Sequence, residues 1–133
     1  MGVKGFFRFG LILSALTGVF FLTSNATGAD MTESDKNWDK VFAKSDMVDV
    51  SKVRFKNRYG IELTGDLYLP KGKASEKLAA IAVSGPFGAV KEQASGLYAQ
   101  TMAERGFAAL AFDPSYTGES GGEPRLVASP DIN

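Results

Sequence analysis

Two short glycine-bearing stretches hold the residues whose types and spacing could do chemistry. The first, Ser84-Gly85-Pro86-Phe87-Gly88, follows the apolar run Ala79-Ala80-Ile81-Ala82-Val83. The second, Gly118-Glu119-Ser120-Gly121-Gly122, matches G-x-S-x-G, the turn that presents a nucleophilic serine in acyl transfer. That chemistry needs a strand immediately before the serine, a helix immediately after it and a base to take its proton. Here the preceding apolar run ends at Phe112, Pro114 intervenes, Pro124 follows, and no helical pattern comes after. The 133 residues include no histidine, the usual general base, and no cysteine, so neither a thiolate nucleophile nor a disulfide framework is available. Ser120 therefore reads as a loop residue and Asp113 as a carboxylate that organises its loop. Gly85-Pro86-Phe87-Gly88-Ala89-Val90 fits neither G-x-G-x-x-G nor G-x-x-x-x-G-K-[ST], which makes a Rossmann-like nucleotide binder the weakest reading.

The elements that must position these stretches follow from periodicity. The runs Ala79–Val83 and Phe107–Phe112 are continuous and apolar, as expected of parallel strands buried on both faces. Between them lies an amphipathic helix, with Ala94, Leu97, Tyr98 and Met102 expected on its core face and Gly106 at its C′ position. The first glycine stretch thus sits at the carboxyl end of a strand in a βαβ unit, where open α/β sheets bind ligands. Upstream the period is two. Val53 and Phe55 alternate with Lys52, Arg54 and Lys56, and Ile61, Leu63, Leu67 and Leu69 alternate with Glu62, Thr64, Asp66 and Tyr68. With Asn57-Arg58-Tyr59-Gly60 between, this predicts an antiparallel hairpin with one apolar face, ended by Pro70. Trp38, Val41 and Phe42 at helical spacing, with Thr32 as cap, predict a short packing helix before it.

This ordered set resembles the start of an α/β-hydrolase: a hairpin, a strand ending in a glycine turn, a helix ending in Glu104-Arg105-Gly106-Phe107, and a strand ending in Phe112-Asp113 with Gly118, Ser120 and Gly121 downstream. It is similar to the dienelactone-hydrolase-like and X-Pro-peptidase-like branches. The resemblance covers residues 48–133 and implies strand order 1-2-4-3-5. It also implies that the loop after Val83 helps form an oxyanion hole, and that nucleophile, acid and histidine follow later strands absent from this chain. The family's His-Gly appears as Ser84-Gly85, and Pro86 has no N–H, so the Phe87 backbone amide is the expected oxyanion donor. The expectation is an N-terminal portion of a larger hydrolase acting on an ester, lactone or amide and inactive by itself, with Ala79–Val83 left as an open edge and 129–133 an exposed connection. The alternative is a non-catalytic exported domain on a hydrolase scaffold.

Residues 1–29 read as a secretory signal. Lys4 and Arg8 precede the apolar run 11–22, which is shorter than the ~20 residues of a spanning helix, and cleavage is expected after Ala26 or Ala29. Residues 30–133 then form the domain portion, periplasmic or secreted, touching a membrane only transiently through the leader. The 15 basic and 15 acidic residues balance, and without Lys4 and Arg8 the net charge is about −2. No nucleic-acid surface, cofactor or metal is expected from this composition; a small-molecule substrate is the expected partner.

Overall fold

The computed structural model describes residues 37–132, so the expected signal segment lies outside the described residues. Four strands form one mixed sheet in the order β1-β2-β4-β3, where β1 is Val48–Lys56, β2 Glu62–Pro70, β3 Ala80–Ser84 and β4 Ala108–Phe112. Helix α1, Ala94–Glu104, connects β3 to β4. β1 and β2 pair antiparallel with Val48 opposite Pro70, β2 and β4 pair antiparallel with Asp66 opposite Ala111, and β3 and β4 pair parallel with Ala82 opposite Leu110. The arrangement is the expected α/β one, an antiparallel hairpin followed by a βαβ unit, and β3 is an edge strand among the described residues.

The hairpin closes because Asn57 supplies its own turn chemistry. Its Oδ1 accepts hydrogen bonds from the amides of Tyr59 and Ile61, both at 3.0 Å, and Gly60 takes φ +78°, which a side chain would strain. Helix α1 ends as Gly106 leads one to expect. The Gly106 amide donates to Ala103 O and the Phe107 amide to Met102 O, and Gly106 has φ +97°, a Schellman stop.

Four expectations are corrected. β3 is not buried on both faces: as an edge strand it leaves Ala80, Ala82 and Ser84 exposed and Ile81 and Val83 only half-buried. The buried face of α1 is Ser95, Gly96, Ala99, Gln100 and Ala103, while Leu97 and Tyr98 are exposed. Small residues win that face because the helix sits close: a Cβ on Gly96 would run into the Lys91 carbonyl, the Phe42 ring and the Tyr68 hydroxyl. The hairpin is likewise not apolar on one face and solvated on the other. β2 lies between β1 and β4, and its polar side, with Thr64, Asp66 and Tyr68, is the more deeply buried one. Finally, residues 37–47 form turns and bends rather than a helix, and the expected cap Thr32 lies outside the described residues. There the Trp38 indole donates to Phe42 O, and the two rings meet edge to face at 5.7 Å. Local hydrogen bonding and packing thus hold that stretch without a helical ladder. The core it joins consists of Val48, Tyr68, Ala99, Ala103, Ala109 and Ala111, with Phe42, Val50 and Met102 at its margin.

Candidate functional site

The carboxyl ends of β3 and β4 open together into a cleft of about 540 Å³. One wall is the loop after β3, with Ser84, Gly85 and Phe87. The other is the loop after β4, with Pro114, Ser115 and Thr117, and Leu63 and Phe112 lie on the sheet between them. Residues 128–132 supply a further wall, with Ala128, Ser129, Pro130 and Ile132. That segment, expected as an exposed connection over 129–133, is also tied to the hairpin turn: the Tyr59 hydroxyl donates to Asp131 O at 2.8 Å and Arg58 at 3.0 Å.

The loop after β3 turns through Pro86 to Ala89, whose amide donates to Pro86 O at 3.0 Å, with Gly88 at φ +83°. Phe87 is 65% exposed and lines the cleft, and its amide donates no hydrogen bond among the described residues. A proton donor on the wall of an apolar cleft can hold a carbonyl or oxyanion there. Helix α1 starts only at Ala94, well beyond the glycine turn, so its first-turn amides do not form the strand–turn–helix cradle of a dinucleotide site.

The loop after β4 is built on Asp113, which is wholly buried. Its Oδ1 accepts from the Lys91 amide at 2.8 Å, and its Oδ2 accepts from the Glu119 amide at 2.9 Å and the Lys91 ammonium at 3.2 Å. Gly118 passes so close that an added Cβ would overlap the Asp113 carboxylate. Ser120, 2% exposed, donates to Asp113 O at 2.7 Å and accepts from the Thr64 amide at 2.9 Å. Its hydroxyl is therefore occupied on both sides, and it does not line the cleft. Arg125 closes the loop from outside, donating to the carbonyls of Gly118, Ser120 and Gly122. Asn57 Nδ2 adds a bond to Ser115 Oγ at 3.1 Å, linking the hairpin turn to the same loop.

Lys91 is the residue sequence reasoning missed. It has no exposed surface, and its ammonium meets Asp113, Glu119 at 2.7 Å and Glu92. Burial alone would draw its pKa down, but its hydrogen bonds to Glu119 and Glu92 and the Asp113 charge outweigh that and hold it above its ordinary value. Glu119 in turn is lowered to about 2 by hydrogen bonds from Lys52 and Lys91. Nothing local marks Lys91, because Asp113 and Glu119 lie 22 and 28 residues away. A second pair, Lys40 with Asp66 at 2.8 Å, lies under the sheet with both side chains almost fully buried. Burial lowers the Lys40 pKa, but hydrogen bonds to Asp39 and Asp66 raise it by more. Beside it the Tyr68 hydroxyl is pushed up, first by burial and then by Asp66, Asp39 and Glu92.

No family model matches this chain. It is 64% identical over 112 residues to the uncharacterized protein PA2218 of Pseudomonas aeruginosa, matching 84% of this chain and 30% of that one. The uncharacterized protein YcjY of Escherichia coli is 46% identical over 85 residues, 62% of this chain and 28% of its own. The crystal structure of PA2218 superposes with TM-score 0.70 and 69% identity, over 74% of this chain and 30% of that one. DcsB, solved with its substrate analogue, gives TM-score 0.55 at 30% identity over 62% of this chain and 27% of its own. The chain thus spans about 30% of the length of the relatives it matches.

Proposed function

We propose that this chain supplies the N-terminal scaffold of an exported α/β-hydrolase that cleaves an ester, lactone or amide by acyl transfer, related to the dienelactone-hydrolase-like and X-Pro-peptidase-like branches. The observation that carries the reading is that Phe87, whose amide donates no hydrogen bond among the described residues, lines a cleft formed where β3 and β4 end. Attack on an acyl carbonyl places negative charge on its oxygen, and a fixed backbone donor stabilises that charge without reorganising. One such donor is worth about 10²–10³ in kcat. Phe87 provides the donor from main chain, so Phe87→Ala keeps it and Phe87→Pro removes it. The nucleophile, the acid and the histidine come from elsewhere than residues 1–133, since this stretch holds no histidine and its Ser120 hydroxyl is engaged on both sides. The basic residues Lys4 and Arg8 before the apolar run 11–22 support export to the periplasm or beyond.

The coding DNA beyond codon 133 tests the catalytic part. The expected result is a continuing frame with an elbow serine or cysteine and a later histidine. A supported stop codon with no such frame would favour the non-catalytic binding domain. The 133-residue chain is expected to show no turnover of a p-nitrophenyl ester, and turnover abolished by Ser120→Ala overturns the scaffold reading. N-terminal sequencing of the chain from a periplasmic fraction tests export, with Thr27 or Asp30 the expected first residue.

A further inference from the structure

The cleft lies among loops rich in charge, yet among the described residues no charged side chain lines it. Four of the charged side chains in these loops and the hairpin turn are engaged elsewhere. Asp113 faces the Lys91 ammonium and amide, Glu119 faces Lys52 and Lys91, Arg125 faces three carbonyls of its own loop, and Arg58 faces the Asp131 carbonyl. What remains in the lining is apolar surface from Leu63, Phe87, Phe112, Pro114 and Ile132, together with the hydroxyls of serine and threonine. An ionised ligand group entering this space would lose water and gain no counter-charge. A neutral chain would lose nothing polar. The volume of about 540 Å³ falls within the ~300–1,000 Å³ common for small-molecule sites.

We propose that the cleft accepts a neutral, apolar acyl chain whose carbonyl oxygen takes the Phe87 amide proton, and that it rejects acyl groups bearing a carboxylate or an ammonium. The assignment rests on the acyl-transfer reading of the same cleft and adds its substrate class. Selection arises from charge sequestration: the Lys91–Asp113–Glu119 cluster and Arg125 hold both loops in place while keeping their own charges out of the lining.

The experiment uses the full 133-residue chain, labelled with ¹⁵N, titrated separately with hexanamide, hexanoate and hexylamine. The expected result is saturable shifting of the Ser84, Gly85, Phe87, Phe112 and Thr117 amides by hexanamide, with both ions binding at least tenfold more weakly. Ser84 is exposed at the end of β3, so Ser84→Asp introduces a carboxylate at the lining without disturbing the core. That variant is expected to weaken hexanamide and to bring hexylamine level with it or above. Circular dichroism checks that the variant keeps its fold. Equal binding of the ions to the unaltered chain, shifts confined to residues outside the cleft, or no saturable shift with hexanamide each overturns the assignment. The two readings fail separately. Hexanamide binding that leaves the Phe87 amide unshifted upholds the neutral cleft and removes the oxyanion donor. A Phe87 amide shifted as strongly by hexanoate as by hexanamide keeps the donor and removes the neutral selectivity.

Discussion

Under α1, the deepest side chains of β2 are Thr64, Asp66 and Tyr68, whereas on the opposite face of the same sheet Leu67, Leu69, Leu110 and Phe112 are only half-buried and Phe55 is 37% exposed. On β2 the deepest side chains are thus the polar ones beside the core, while on its other face Leu63 is the only buried side chain among the described residues. The polar face tolerates burial because its charged and backbone groups are matched: Asp66 with Lys40, the Thr64 amide with Ser120, the Thr64 hydroxyl with the Glu119 carbonyl. A matched buried ion pair gains little over an apolar pair, but removing one partner is expensive, because the other charge stays buried alone. The apolar face contributes in proportion to the area it has removed from water, which for half-exposed residues is modest. The stability of this chain is therefore expected to be more sensitive on its polar side than on its apolar side.

The largest expected effect is at Lys91. Lys91→Met strands Asp113 without its ammonium and should cost about 3–5 kcal/mol, read from the urea midpoint at neutral pH. Adding Asp113→Asn should cost much less than a second independent loss, since the two residues share one interaction. A loss in Lys91→Met below about 1 kcal/mol would break the comparison. Next comes Ser120→Ala, which leaves the Thr64 amide and the Asp113 carbonyl unsatisfied and should cost about 2 kcal/mol.

The pH dependence is a smaller effect. The folded pKa of Glu119 is depressed to about 2 from an ordinary 4.5, so its contribution is present above 4.5 and is lost as pH falls from there through 2. Glu119→Gln should flatten the decline in urea midpoint across that window. Because the carboxylate is nearly half exposed, solvent screening keeps the difference well below the Lys91 effect. An unchanged pH slope would show that Lys52 and Lys91 do not hold it in solution. Smallest of all is Phe55→Thr on the apolar face, expected within about 0.5 kcal/mol of the unaltered chain despite the lost contact with Phe112. Sedimentation of that variant should show less self-association, as an exposed apolar side chain is removed.

Much of this was legible along the chain, and the reason is local. Asn57 and Gly60 marked the hairpin turn, Gly106 marked the helix stop, and the apolar runs at 79–83 and 107–112 marked β3 and β4. Phe112 ending well before Ser120 was enough to separate a G-x-S-x-G string from a nucleophile turn. The inward face of α1 was not legible, because Leu97 and Tyr98 have the right character for a core. What excluded them was the close approach of Gly96 to Tyr68 and Phe42, a distance set by residues on other elements. The stretch containing Trp38 and Phe42 failed for a related reason: helical spacing there coincides with an aromatic pair that packs without a helix.

The order of apolar and turn residues by itself determined the strands, their connections and the place of the glycine loop at the end of β3, because periodicity and turn chemistry act over a few residues. Only the tertiary structure decided which face of β2 is deepest, that Lys91 is buried against Asp113 and Glu119, and that the loops around the cleft keep their charges out of it. Those outcomes depend on groups many residues apart meeting in a space that excludes water. In that space, the cost of an unpaired charge decides which side chains turn inward.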